Sequence, residues 1–412
     1  MPQAREPRQI LAGRRIALVA KLFDRGDGRL LKQRAALRAA GAEVGCFAMI
    51  DHARSAPDVT TPDWRAARTR TAMTGGIVLA AGVFGARLAA GRATRDAIGD
   101  ASSWLAYRGQ VRALADVLAA WRPDVVVCSD PETLPAVVRF KALGGGAVLY
   151  DAHEFHEEED HTDPGRQAWV QKVETRAAGA IDGFVTVNAG IAALYAERRP
   201  GLPPAVIVHN AGELETPPAY DGRLHRAAGL PASTRILLFQ GGLAPMRGLE
   251  ALVDAGAWLP EGWALVLMGS GRLEPSLRAR ADADRVRFVA PAPFAELPQW
   301  TVGAALGALL YEDLNLNQRH CSPNKLWEYP AAGVPMLATD LPEIQRLASP
   351  YGVAFFVPSG AGATDIAARV ASLTDADLAE ARVGAAAFTR LHSWRANAEA
   401  FVSEVARLAA DR

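Results

Sequence analysis

The sequence predicts an α/β protein built from two doubly wound domains of parallel sheet and helix, facing one another across a cleft. Three observations carry this. Short apolar, β-rich runs alternate with helical patterns along most of the chain, as strands covered on both faces by helices must. The alternation occurs twice, with a Gly-, Pro- and Glu-rich stretch, Asn210–Gly222, between the two series. The chain has 412 residues, half of them hydrophobic, which is too long for one ordinary domain and enough for two cores.

The first series opens with Arg15–Ala20 (RIALVA) as a strand. A Gly/Asp loop, an amphipathic helix near Leu30–Ala40 and a strand at Glu43–Met49 follow. Asp124–Cys128, Ala147–Tyr150, Gly183–Val187 and Ala205–Val208 continue it. The second series begins at Arg235–Phe239 (RILLF) and runs through Ala264–Met268, Val286–Val289, Leu306–Tyr311, Pro335–Thr339 and Val353–Val357. The expected domains are residues 1–212 and 213–390, with 391–412 as a terminal segment. Phe401, Val402, Val405 and Leu408 share one face of a helix at Ala396–Ala410. In doubly wound domains ligands bind beyond the carboxyl ends of the strands, so the site is expected in the cleft.

Composition excludes several classes. Lys plus Arg and Asp plus Glu number 45 each, and a neutral balance argues against a general nucleic-acid binder. Cys46, Cys128 and Cys321 are widely spaced and odd in number, so they form neither a disulfide framework nor a zinc pattern. MPQAREPRQILAGRR has no apolar stretch ahead of a cleavage site, and the expectation is a cytoplasmic protein. One segment breaks the alternation. From Trp64 to Arg95 there is no acidic residue, and Arg65, Arg68, Arg70, Arg92 and Arg95 flank an apolar core interrupted only by Arg87. It is too short and glycine-rich for a transmembrane helix of ~20 apolar residues. Two readings remain: a buried helical hairpin, or a helix lying in the anionic inner face of a membrane.

The chemistry concentrates at strand ends. Gly241-Gly242 follow Phe239-Gln240 directly, and Arg247 stands where the next helix starts. Glycines permit close backbone approach, and a guanidinium can hold a diphosphate bidentately. Gly269-Ser270-Gly271 and Val289-Ala290-Pro291 end the next two strands on the same rim; the backbone near Pro291 could meet a nucleobase. Ser322–Glu343 (SPNKLWEYPAAGVPMLATDLPE) reads as loop, short helix and buried strand, with Asn324, Lys325, Leu326 and Glu328 at the helix start. A helix N-terminus with a lysine favours anions, and a glutamate one turn on can accept from a ribose diol. A solvated lysine on a packing helix fits those residues equally well.

In the first series Tyr150-Asp151-Ala152-His153-Glu154 closes a strand. His153 there could hydrogen-bond a sugar hydroxyl, assist proton transfer, or simply be tied to a backbone carbonyl. His153, His156 and His161 with Glu154, Glu157, Glu158 and Glu159 match no standard zinc spacing, so no metal is expected. G-x-x-x-x-G-K-[ST], H-E-x-x-H and G-x-S-x-G patterns are absent.

Taken in order, strand-GG-x4-Arg-Gly, then GSG, then SPNKLWEYPAAGVPMLATDLPE, the second half resembles the donor half of a GT-B glycosyltransferase, and more narrowly of retaining family 4. DGRLLKQRAALRAAGAEV, YDAHE, VTVNAGIAALY and VIVHNAGELE resemble the family's first half, so nearly the whole chain outside the Arg-rich insertion is covered. The resemblance implies two Rossmann-like domains, with a nucleotide-sugar donor on the second and a glycan or lipid-linked acceptor on the first. It implies that Arg247 and Lys325 meet the diphosphate, that Glu328 meets the ribose and that His153 lies near the transferred sugar. Gly28, Arg29, His153 and Glu154 then fall on the acceptor side. It implies metal-independent transfer, with retention, and a terminal helix returning to the first domain. Two departures stand out. Gly242 replaces an arginine, and His320 replaces a glutamate eight positions before the ribose glutamate, a position that would otherwise touch the donor. A nucleotide-sugar epimerase and a non-catalytic scaffold on the same plan are the alternatives.

Overall fold

The computed structural model describes residues 9–23, 27–50, 58–62, 92–159, 163–212 and 216–411. Within them two parallel sheets form. The strands of the first are β1 (Arg15–Ala20), β2 (Glu43–Ala48), β3 (Val59–Thr60), β4 (Val125–Cys128), β5 (Ala147–Ala152), β6 (Gly183–Thr186) and β7 (Ala205–Ile207). Those of the second are β8 (Arg235–Gln240), β9 (Trp263–Met268), β10 (Val286–Val289), β11 (Leu306–Leu309), β12 (Met336–Thr339) and β13 (Ala354–Val357). Their spatial orders are β3-β2-β1-β4-β5-β6-β7 and β10-β9-β8-β11-β12-β13. Each sheet reverses its winding once, between β1 and β4 and between β8 and β11, and a crevice opens beyond the strand ends at such a reversal.

The strands hold because their residues are buried on both faces: β4, β5, β6, β9, β11 and β12 have no exposed position. Each sheet is sandwiched between two apolar clusters. β3 has no counterpart in the sequence reading, because two residues carry no periodicity. The first helix, Gly28–Ala39, starts two residues earlier than its apolar pattern. Asp27 caps it, its carboxylate accepting from the N–H groups of Arg29 and Leu30. Of the arginine-flanked segment at 64–95, residues 64–91 lie outside the described residues. Arg92 begins a helix that runs to Trp121.

The chain crosses between domains twice. After the first crossing and the second domain, a helix at Trp394–Ala410 lies on the first sheet. Trp394, Phe401, Val405 and Leu408 join Ile16, Leu18, Val127 and Leu149 in one core. The two crossings are tied to each other. Trp394 donates its N–H to the Gly212 carbonyl (2.9 Å), and the Asn397 side-chain oxygen accepts from the His209 N–H (2.7 Å).

Candidate active site

A hollow of about 530 Å³ lies between the domains, at the carboxyl ends of the second sheet and opposite the end of β5. Its second-domain wall is made of the turn after β8 (Gly241, Gly242, Arg247), the turn after β9 (Gly269, Ser270) and Pro291 after β10. Tyr311 after β11 and Asn324, Lys325 and Glu328 complete that wall. His153, Glu154 and Asn210 close it from the other side.

The two glycine turns are shaped by each other before any ligand arrives. Gly241 has φ +118°, and a Cβ on Gly269 would stand 1.9 Å from the Gly241 carbonyl oxygen. Gly269 therefore serves backbone packing rather than ligand approach, and only the exposed Gly241-Gly242 face is open to a ligand.

The cationic centre comes from two side chains. Arg247 donates to the Gly242 carbonyl (2.7 Å), which holds its guanidinium over the turn. The Lys325 residue is only 6% exposed. Its ammonium lies 4.9 Å from the Phe239 ring centre and 5.4 Å from that of Tyr311, with no carboxylate at ion-pair distance among the described residues. Burial, with the Arg247 charge added, pulls its pKa down from 10.5 to about 8. A buried cation with rings on two sides and a hollow beside it is built to meet an anion.

Glu328 is held for a different purpose. The Gln240 amide donates to its carboxylate (2.8 Å), and the Gln240 carbonyl oxygen accepts from the Thr301 hydroxyl (2.7 Å). The carboxylate is thereby fixed with acceptor capacity to spare for paired hydroxyls. Facing it, the His153 Nδ1 is buried without a hydrogen-bond partner. The His153 ring meets that of His156 edge-on at 5.2 Å, and the His156 Nδ1 lies 3.3 Å from the Glu159 carboxylate. Among the described residues no group of three or more His, Cys, Asp and Glu side chains could hold a metal ion.

Residues 234–376, most of the second domain, match the family model "Glycosyl transferases group 1". This domain is a group 1 glycosyl transferase domain, and the chain has the GT-B fold. A D-inositol 3-phosphate glycosyltransferase of Thermobispora bispora is 30% identical over 201 residues, which span 44% of this chain and 45% of that relative. The match thus covers under half of the relative's length. Sucrose-phosphate synthase of Thermosynechococcus elongatus superposes with a TM-score of 0.69 at 18% identity, over 97% of this chain and all of that one. HepE of Anabaena, in complex with UDP, superposes with a TM-score of 0.67 at 13% identity over 95% and 99% of the two chains. At those identities the likeness is one of fold.

In this GT-B chain the hollow gathers His153, Glu154, Gly241, Gly242, Arg247, Gly269, Ser270, Pro291, Asn324, Lys325 and Glu328, all named from the sequence. Four others lie elsewhere. Arg29 is 5% exposed and holds the fully buried Asp151 through two bonds of 2.6 and 2.7 Å. Its third contact is the Val208 carbonyl (3.0 Å), so it braces the first domain and lies buried away from the hollow's lining. Gly28 sits at the cleft rim, where a Cβ would come 3.1 Å from the Phe294 ring of the second domain. Leu326 is buried in the second core, and its N–H donates to the Pro323 carbonyl (2.9 Å).

Trp327 and Glu328 likewise donate to the Asn324 carbonyl, so the start of this seven-residue helix offers an anion fewer free N–H groups than expected. The positive charge belongs to the Lys325 side chain instead. His320 is drawn into the seam between domains. Its carbonyl accepts from the Asn188 amide (2.7 Å), and a Cβ on Gly190 would lie 2.3 Å from its Nδ1. Next to it Gly190 donates to the Glu343 carboxylate (2.9 Å). The glutamate missing at this position is thus replaced by an interdomain contact.

Glu154 shares that seam. Its carboxylate accepts from the Asn317 amide (3.1 Å), and the Asn317 side-chain oxygen accepts from the Phe155 N–H (2.8 Å). The sequence reading missed Gln240, Tyr311, Asn210, Ser322 and Phe294 on the hollow's wall. Gln240 and Tyr311 were findable, because Gln240 ends β8 and Tyr311 follows β11, the strands that flank the winding reversal. Phe294, 59% exposed at the mouth, carries no local signal.

Proposed function

We propose that the chain is a retaining, metal-independent glycosyltransferase. It moves a hexose-type unit from a nucleotide diphosphate sugar to a hydroxyl of a glycan or lipid-linked saccharide. The observation that supports this most is the single hollow in which Arg247, Lys325 and Glu328 face His153. Glu328 takes the ribose diol, while Pro291 and its neighbours border the base. As the bond from the anomeric carbon to the diphosphate breaks, negative charge builds on the leaving oxygen, and Arg247 and Lys325 meet it as fixed donors. The acceptor hydroxyl bonds to the anomeric carbon from the face the diphosphate leaves, and its proton passes to the departing diphosphate. That HepE has been captured with UDP-glucose makes UDP-sugars the first donors to try.

Arg247→Ala and Glu328→Ala are each expected to weaken donor binding by about 10- to 100-fold, the worth of a hydrogen bond to a charged group (~1.5–3 kcal/mol). Calorimetric titration of UDP-, GDP- and dTDP-sugars measures this, and unchanged affinity in both variants would remove the assignment. Chromatography of the donor alone separates the alternatives. Conversion without acceptor means an epimerase, and a donor left intact with every acceptor means a scaffold.

The arginine-flanked apolar segment 64–95 extends the proposal to an acceptor at the cytoplasmic membrane face. Among the described residues no helix is long and apolar enough to cross a membrane. Deleting 64–95 should abolish flotation with anionic liposomes, and equal flotation of both proteins would refute membrane contact.

A further inference from the structure

A second hollow of about 630 Å³ opens beside the first, within the ~300–1,000 Å³ usual for small-ligand sites. It sits beyond the carboxyl ends of β8, β9, β11, β12 and β13, where a doubly wound sheet binds ligands. Nothing in the donor reading uses it. Its floor holds Thr339, a residue only 4% exposed whose hydroxyl makes no hydrogen bond to any described residue. A hydroxyl on an otherwise buried residue, with no protein partner and facing an open hollow, is free to bond a polar ligand. Glu250, Glu312 and Arg272 also line the space, and none has an ion-pair partner among the described residues. Met246 and Gly248 hold positive φ of +66° and +62°, and the Glu312 N–H bonds the Met246 carbonyl (3.2 Å), so two walls are fixed to each other.

The lining selects a chemical class. Glu159 is already paired with His156, which leaves Glu250 and Glu312 facing a single guanidinium, Arg272, a balance that disfavours phosphates. Leu314, 53% exposed, with Met246 and Pro358, offers apolar surface between the carboxylates. Carboxylates that accept paired hydroxyls, alternating with surface for C–H faces, suit a sugar ring that is neutral or carries an amine. Continuity with the donor hollow comes at two points. Tyr311 lines both, with the Arg247 guanidinium 6.0 Å from its ring centre. Glu159 bonds His156, which packs against His153.

We propose that this second hollow binds saccharide: the neutral or amine-bearing sugar units that precede the acceptor hydroxyl. Only the word acceptor rests on the transfer reading; saccharide binding is testable without it. Saturation-transfer NMR on the whole protein with neutral, amine-bearing and phosphate-bearing trisaccharides is the test. Transfer to the first two and not the third is expected. Thr339→Val and the surface change Leu314→Arg should each lower saccharide affinity by about tenfold, ~1.4 kcal/mol, with UDP affinity and melting temperature unchanged. No transfer to any trisaccharide, equal transfer to the phosphate-bearing one, or affinity untouched by both changes would overturn the proposal. Saccharide binding by a protein that never turns over a nucleotide sugar would leave it standing while the transferase reading fell.

Discussion

Arg29→Met will destabilise the protein by about 3–5 kcal/mol, the usual consequence of leaving a buried charge without its partner. Asp151 is fully buried at the end of β5, and Arg29 and the Gln33 amide (2.6 Å) bind its two oxygens. Burial alone raises the Asp151 carboxyl, but the Arg29 guanidinium outweighs it, and the net shift is downward. Without Arg29 the carboxylate must take a proton or lose its place. The pair reaches from the first helix to the strand end just before His153, and its third contact holds Val208 beside the domain crossing. Urea unfolding followed by circular dichroism measures the loss. Arg29→Met combined with Asp151→Leu should recover most of it, since an apolar pair of similar volume has no charge to strand. An unfolding midpoint unchanged by Arg29→Met would show that the pair does not brace the domain.

Lys325→Met will move two quantities in opposite directions. Nucleotide diphosphate affinity should fall by ~2–5 kcal/mol, as when one partner of a desolvated charge pair is removed. The unliganded protein should become more stable, because a pKa lowered from 10.5 to about 8 means a cost of about 3 kcal/mol while the lysine is charged. The sign follows from proton counts. Between about pH 8 and 10.5 the unfolded chain holds a proton that the folded chain has released, so stability contributed at this residue rises with pH across that window. Below pH 8 the full cost is present, and above 10.5 it has gone. Anion binding behaves inversely. It favours the charged ammonium, so nucleotide affinity should decline above about pH 8, and near pH 8 binding should take up a proton. Calorimetry in buffers of different ionisation enthalpy counts that proton. No uptake, together with wild-type affinity in Lys325→Met, would remove Lys325 from the anion site.

The sheets were legible because parallel strands buried on both faces leave continuous apolar runs, and each of the twelve runs named from the sequence overlaps a strand. Gly241, Arg247, Lys325 and Glu328 were legible because motif order placed them on successive strand ends. Arg29 was misread because a first-turn arginine looks alike whether it faces a cleft or a buried aspartate 122 positions away. His320 was misread for a related reason. Its neighbours across the seam, Asn188 and Gly190, come from the other domain, and no local pattern encodes that meeting. Leu326 was assigned by its place at a helix start, but the turn before it consumes its N–H. The second hollow was invisible because its walls come from the ends of five strands and one residue of the opposite domain.

The helix at Trp394–Ala410 sets an order of events during synthesis. Ribosomes release a chain from its amino end, yet one face of the amino-terminal lobe is lined by Phe401, Val405 and Leu408, nearly two hundred positions beyond that lobe's last strand. Until those side chains emerge, Leu30 and Leu37 of the first helix cover only part of that side, and the core around Val127 and Leu149 is incomplete. The lobe made first is therefore the lobe finished last, and the carboxyl-terminal one, whose described strands and cores arise from a single uninterrupted stretch, can close ahead of it.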